Sequence, residues 1–391
     1  RDAASNNITK VMIMDELPKK RDTFVLNKGN YESKTDVKVL GAIPSLFRPH
    51  DAGAALPPLR LAADEPRGES TSSPVETPER INRLDLARWL VSPGNPLGAR
   101  TAVNRAWQAF FGMGLVKTAE DFGVQGGAPS HPELLDWLAT EFVASGWDVK
   151  KLHRNIVTSA TYRQSSRVTP ALHERDPENR LLARGPRHRM PSWMLRDQAL
   201  AAAGLMNEAR GGPSVRPYQP AGIWEEATFG KKSYQQDHGA ALYRRSLYVF
   251  WRRIVGPTSF FDAGVRQVCT VKVAHTNTPL HALVTLNDPA FVEAARVLAQ
   301  ATSVAGDTDA ARLDYAFRVL TGRHPTAKEK TILLGRLEKL RAQFASDPAA
   351  AAQLAAAGEF GRPATLDPVE HAAWTALCSL LMNLDETLST E

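Results

Sequence analysis

From Arg80 onward the apolar residues recur at intervals of three and four; before it they do not. In RINRLDLARWLV the residues Ile81, Leu84, Leu86, Trp89 and Leu90 fall near one face of a helix. SPGNP breaks that pattern, and LGARTAVNRAWQAFFG (Leu97–Gly112) predicts a second helix that stops at a glycine. SHPELLDWLATEFVASG predicts a third, with Ser130 as cap and Glu133 reaching back to it in a capping box. Asp148 starts a fourth, running into VKKLHRNIVTSATYRQS, and WMLRDQALAAAGLM (Trp193–Met206) is a fifth. The last third is helical throughout, at about 279–286, 289–301, 308–321, 326–344, 349–357 and 368–386, with Thr326 and Glu329 as a second capping box. LGRLEKLRAQF places a solvated face over an apolar stripe.

Other segments carry a different rhythm. VMIMDEL (Val11–Leu17), DTFVLNKGNY (Asp22–Tyr31) and DVKVLGAIP (Asp36–Pro44) are short runs of β-formers, a small meander or an edge extension. Residues 49–79 are rich in Pro, Gly, Ser and Glu and read as a linker or long surface loop. GGPSVRPYQPAGIWEE is too broken for regular structure, and Tyr218, Ile223 and Trp224 are its packing residues. YRRSLYVFWRRI (Tyr243–Ile254) predicts a strand, with a helix as the alternative. The expected architecture is mainly α: a β-rich N-terminal segment over 1–48, a linker or surface loop over 49–79, and a large composite helical domain over 80–391 with one or two central strands. No internal repeat of solenoid length occurs.

Charge and cysteines narrow the function classes. Lys and Arg number 48 against 42 Asp and Glu, a net +6 without a long basic run, so nucleic acid is not among the expected partners. No stretch approaches the roughly 18 apolar residues of a membrane span. The opening RDAASNNITKVMIMDEL lacks the basic and apolar regions of a signal peptide and reads as the middle of a longer protein. Cys269 and Cys378 make neither CxxC nor CxxCH, so this chain offers no c-type haem attachment and no zinc ribbon. A disulfide between them in an oxidising compartment and a buried, inert Cys378 both fit.

Candidate chemistry concentrates in VCTVKVAHTNTPLHALVTLNDPAF (Val268–Phe291). Thr278 fits an N-cap and Pro279 the first helical position. The free N–H groups there could hold an anion, with Arg266, His275, Asn277 and His281 as further donors. The plain alternative is two capped helices, the second starting at Asp288-Pro289, with a polar loop anchored between them. On a strand, Arg244, Ser246, Tyr248, Phe250 and Arg252 would share one face, suited to sugar rings or acidic groups by stacking and bidentate pairing. Equally, those arginines could bridge to Asp121, Asp197 or Asp262. His131, Glu133, Asp136 and His153 show no metal-binding spacing, so no metal is expected. A Cys269–His275 nucleophile pair is conceivable, but spacing assigns no catalytic residue and leaves open whether the chain is an enzyme. Trp107, Trp137 and Trp147 read as core, with sugar platforms as the alternative.

Several long motifs then occur in order: NPLGARTAVNRAWQAFFGMGLVKTAEDFGVQGGAPSHPELLDWLATEF, GWDVKKLHRNIVTSATYRQSS, GGPSVRPYQPAGIW, YRRSLYVFWRR, CTVKVAHTNTPLHALVTLNDPAFVEAAR and LCSLLMNLDE. Together they resemble the PSD-type C-terminal domain of planctomycete cytochrome-c-domain-containing proteins, from about Val11 to the end. That resemblance implies an exported, periplasmic or extracellular bacterial protein. Haem c would sit in a fused upstream domain or a partner and none in this chain. Cytochrome c domains, other subunits and carbohydrate are the implied partners. It also implies a substrate- or partner-binding role in extracytoplasmic redox or polysaccharide-related metabolism; a non-catalytic scaffold and a secreted hydrolase are the alternatives. The family has no established activity, so no catalytic residue carries over. This chain departs from the usual pattern at His275, commonly Arg, at His281, commonly Gln, and in RMPSWMLRD, which lacks an acidic residue before Leu-Arg-Asp.

Overall fold

A computed structural model describes residues 21–39, 82–252, 255–264, 270–271 and 276–390, with Ile13, Asp15 and Leu17 before them. The predicted strands at Val11–Leu17 and beyond Val39, and the 49–79 linker, fall mostly or wholly outside these residues. The described chain is mainly α, with 14 helices and short antiparallel strands. It divides into two compact units: Arg1–Ala106 with His131–Arg154, and Trp107–Ser130 with Asn155–Glu391.

In the first unit, β1 (Thr23–Leu26) and β2 (Lys34–Val39) form an antiparallel hairpin across a turn at Asn27–Gly29. Helix α1 (Arg83–Leu90) begins where Asn82 and Asp85 close a reciprocal capping box. Helix α2 (Gly98–Phe111), which runs on into the second unit, starts where the Asn95 side chain accepts the Leu97 and Gly98 N–H groups. Gly98 is required there, because a Cβ would stand 2.4 Å from the Leu90 carbonyl oxygen. Helix α3 (Pro132–Ala144) does not begin as predicted: His131 occupies the cap position and makes no side-chain cap bond. Pro132 accounts for the shift, since its fixed φ suits the first helical position and moves the cap to residue 131. The Ser130 hydroxyl is bonded instead to the Leu115 carbonyl. Helix α4 (Val149–Val157) starts at Asp148 as predicted, with the Lys151 N–H on its carboxylate, and stops well short of the predicted length.

In the second unit follow α5 (Pro170–Arg175), β3 (His188–Arg189), α6 (Ser192–Ala202), α7 (Ile223–Ala227), α8 (Pro279–Asn287), α9 (Pro289–Val304), α10 (Asp309–Thr321), α11 (Ala327–Ser346), α12 (Pro348–Ala355), α13 (Pro368–Met382), α14 (Asp385–Leu388) and β4 (Ser389–Thr390). The core is built on α9 and α13, which pack along each other with α6, α10, α11 and α12 around them. Phe291, Ala294, Ala295 and Leu298 give α9 its buried stripe, and Ala373, Trp374, Leu377 and Cys378 give α13 its own. The alanines let the helices approach closely. Leu313, Leu337 and Leu377 are fully buried, each contributing about 1.5–3 kcal/mol. Thr326 and Glu329 form the predicted capping box of α11, and Thr308, Asp347 and Asp367 cap their helices in the same local way.

The expected strand over Tyr243–Ile254 is absent across its described residues, which run to Arg252. Ser246–Tyr248 form a single tight turn, flanked by isolated parallel bridges Asn207–Arg244 and Val215–Val249. The cause is tertiary. Arg196, on α6 and 1% exposed, donates to the carbonyls of Leu242 and Arg244 and to the Ser246 hydroxyl, while Asp197 accepts the Ser246 N–H. These side chains take the backbone groups that a strand neighbour would have taken. The described strand pairing of this unit is instead a two-residue antiparallel match of β3 with β4.

Candidate functional site

The predicted site residues fall into three places. Arg266, Cys269 and His275 lie outside the described residues. Around the start of α8, Thr278 does hold the cap position and Pro279 the first turn, but the Thr278 side chain makes no cap bond. Asn277 is exposed. His281 is 7% exposed, its ring stacked on Phe261 at 4.1 Å and 16°. Its Nε2 lies 3.6 Å from the Asp262 carboxylate and 3.5 Å from the Thr276 hydroxyl. Asp262, at φ 57°, accepts the Thr276 N–H at 2.7 Å and its hydroxyl at 2.9 Å. The Phe261 carbonyl in turn accepts from Ser192. His281 therefore faces inward, as part of the joint that ties Phe261, Asp262 and Thr276 to α8. Asp288 caps α9 as predicted, accepting the Ala290 N–H at 3.0 Å.

The arginine set is divided between two jobs. Arg244 is 7% exposed and donates to the carbonyls of Pro213, Ala209 and Gly211 at 2.8, 3.1 and 2.5 Å. Its guanidinium lies 3.8 Å over the Tyr248 ring. It clamps the 209–213 turn to the protein. Arg252 is half-buried over Trp224 at 5.6 Å, and Trp224 stacks on Phe250, which Arg216 covers at 4.9 Å. This alternating ladder is pinned by the Trp224 indole N–H donating to Gln219 at 2.8 Å.

A buried polar cluster was not legible in the sequence. Glu293 on α9 is 1% exposed and accepts the hydroxyls of Tyr218 and Tyr243, each at 3.0 Å, and the Phe360 N–H at 2.6 Å. Arg296 lies 3.8 Å away and donates to the carbonyls of Ala357 and Phe360. Burial, reinforced by the Glu293 charge, pushes both tyrosine hydroxyls well above their ordinary range. Gly358, at φ 84°, passes so close that a Cβ would stand 2.3 Å from the Glu293 carboxyl carbon. Next in the chain, Glu359 accepts from His238 at 2.7 Å. Every partner is internal, so the cluster fastens the 356–361 loop to the core.

What remains is a cavity of about 400 Å³ in the second unit, lined by residues from 107–115, Ser130 and 166–188. Among the described residues, none of the predicted site residues lines it. Trp107 and Phe111 stack at 4.1 Å and 4° in its wall, with Tyr162 edge-on to Phe111. Gly112 ends α2 at φ 76°, and a Cβ there would meet the His188 ring at 2.8 Å, so glycine is what lets His188 line the cavity. Arg180 donates to the carbonyls of Gly114 and Leu115 at 2.7 and 2.9 Å, and Arg184 to those of Asp176 and Pro177 at 3.0 and 2.9 Å. The Asp176 carboxylate, buried, takes the N–H groups of Arg180 and Leu181. Asn179 turns the chain at φ 53° and donates to the Arg184 carbonyl. A loop without regular structure is thus held rigid by its own side chains. The available signal was the spacing of arginines through DPENRLLARGPRHR behind an Asp-Pro turn.

A second hollow, of about 350 Å³, lies in the first unit between Asn95, Arg100, Asp136 and Trp147. There the Arg100–Asp136 ion pair closes on itself at 2.6 Å. Among the described residues no His, Cys, Asp or Glu grouping suits a metal ion, and no helix is long and apolar enough to cross a membrane.

Comparison with known proteins returns one family. The model of PSD1, described as a protein of unknown function (DUF1553), matches residues 82–337. No curated protein matches, and no solved structure does.

Proposed function

We propose, since the chain belongs to the PSD1 family of proteins of unknown function, that it is a ligand-binding module taking a sugar-sized molecule into the Trp107–Arg184 cavity. The module would be the C-terminal part of an exported, cytochrome-c-linked bacterial protein, with haem c carried by a fused upstream domain or a partner. The cavity is the observation that carries this reading. Its volume of about 400 Å³ falls within the range of small-molecule sites, roughly 300–1,000 Å³. Aromatic rings meet fixed polar groups in its wall, as in sites that combine burial with orientation. The extracytoplasmic and redox setting rests on the ordered motifs alone.

Isothermal titration of the purified chain with neutral and acidic mono- and disaccharides tests the reading. Binding that disappears when Val168→Trp fills the cavity supports it. The absence of binding by any sugar, or binding unchanged by Val168→Trp, refutes it.

A partner-docking role has its own support. Leu280, Leu283 and Leu286 on α8 are 68%, 56% and 42% exposed along one side of the helix. Leu283→Asp would weaken co-sedimentation with a cytochrome-c-bearing partner. Unchanged co-sedimentation, or none with the unaltered chain, would remove this reading.

A further inference from the structure

We infer that the ligand of this cavity is an anionic sugar, one whose oxyanion meets the guanidinium groups of Arg180 and Arg184 while its ring lies along the apolar lining of Phe111, Val168 and Leu182. The inference rests on the small-molecule reading of the cavity and specifies its ligand.

Charge on the lining is one-sided. Among the described lining residues, Arg180, Arg184 and Arg187 stand against a single carboxylate, Glu178. Glu178 is already satisfied: both its oxygens accept from Lys117, at 2.6 and 2.8 Å. Arg187 is paired with Asp385. Arg180 and Arg184 differ from it. Both spend donors on carbonyl oxygens, which fix the groups in place, and Glu178 opposes the Arg180 charge only through space, with no hydrogen bond between them. The nearby Asp176 carboxylate does not line the cavity and is occupied by two backbone N–H groups. A guanidinium has more N–H donors than two carbonyls consume, so each keeps donors for an oxyanion. Carboxylate and sulfate match that planar donor set, and a pre-fixed guanidinium loses little rotamer freedom on binding them. A neutral sugar would leave both charges facing hydroxyl groups. A bare inorganic anion would leave the apolar lining of Phe111, Val168 and Leu182 uncovered. Only a molecule with an oxyanion on a ring uses both halves.

Isothermal titration of the full chain with glucuronate, glucose 6-sulfate, glucose and inorganic sulfate decides the matter. Glucuronate or glucose 6-sulfate should bind at least about tenfold tighter than glucose and than inorganic sulfate, the difference expected of one charge-assisted hydrogen bond. Raising salt from about 0.02 M to about 0.5 M should weaken the sugar acid and leave any glucose binding unchanged. Arg184→Gln should remove the preference for acid over glucose, and Arg184→Lys should retain part of it. If Arg184→Gln fails to fold, the glucuronate-to-glucose ratio and the salt response of the unaltered chain test the inference in its place. Glucose binding as tightly as glucuronate overturns the anion assignment and leaves the small-molecule reading standing. Inorganic sulfate binding as tightly as the sugar acids overturns the sugar half. Binding by none of the four overturns this inference and counts against the small-molecule reading itself.

Discussion

Replacing Glu293 by Gln should be among the most damaging conservative changes in the chain. The carboxylate accepts from two tyrosine hydroxyls at 3.0 Å and the Phe360 N–H at 2.6 Å, with the Arg296 guanidinium 3.8 Å off. An amide of the same shape keeps one acceptor oxygen. If that oxygen keeps Tyr243 and Phe360, the amide NH₂ faces Tyr218, whose hydroxyl already accepts the Glu359 N–H. The Tyr218 proton is then left without an acceptor, a loss of about 1–3 kcal/mol. Arg296 also loses the nearest charge opposing its burial, which brings the total to about 3–5 kcal/mol. Urea denaturation followed by far-ultraviolet circular dichroism measures the change as a lower midpoint. The mechanism is isolated by a double-mutant cycle with Tyr218→Phe, where the two effects should overlap by about 1 kcal/mol or more. A Glu293→Gln midpoint within about 0.5 kcal/mol of the unaltered chain, or two effects that simply add, would refute the reasoning.

Three further outcomes follow from the same structure. Burial pushes Tyr234 up to about 12, and Tyr218 and Tyr243 higher still. Their folded values exceed the ordinary 10, so their contribution is complete below about pH 10 and is lost as pH rises through the folded values. An ultraviolet titration should therefore show these tyrosines ionising only with alkaline unfolding; full ionisation near pH 10 with native circular dichroism would contradict it. Cys378 is 0% exposed and its thiol is pushed up to about 12 by burial, so iodoacetamide should alkylate it only after unfolding, as read by peptide mass spectrometry. Native labelling as fast as in urea would contradict that burial. Gly358→Ala should destabilise by more than about 1 kcal/mol, because it combines a positive φ with a collision on Glu293. Gly361→Ala, with open space around it, serves as the control, and equal urea midpoints for the two would mean that the loop does not sit on Glu293.

Helix ends were the most legible part of the chain, because a cap is settled within a few residues. Thr326 with Glu329, and Asp288 before Pro289, could be read directly from spacing. Ser130 shows the limit: Pro132 redirects the start, and the serine bonds to Leu115 instead. The apparent strand at Tyr243 failed for a longer-range reason. Alternation of ring and charge suggested two faces, but Arg196 and Asp197, some fifty positions earlier, hold that backbone. By its neighbours His281 is a donor beside a helix start, and nothing local reveals that Phe261 receives its ring. The cavity was invisible for the same reason. Its walls meet through Arg180, which reaches carbonyls 65 and 66 positions away.

The pairing of β3 with β4 sets an order on making the protein. Thr390 and His188 bond at 3.0 Å, and the Met190 N–H reaches the Leu388 carbonyl at 3.0 Å. His188 lines the cavity, so one of its walls is tied down by residues translated some two hundred codons later. The His188 side of the cavity is therefore held only once residue 390 has joined it.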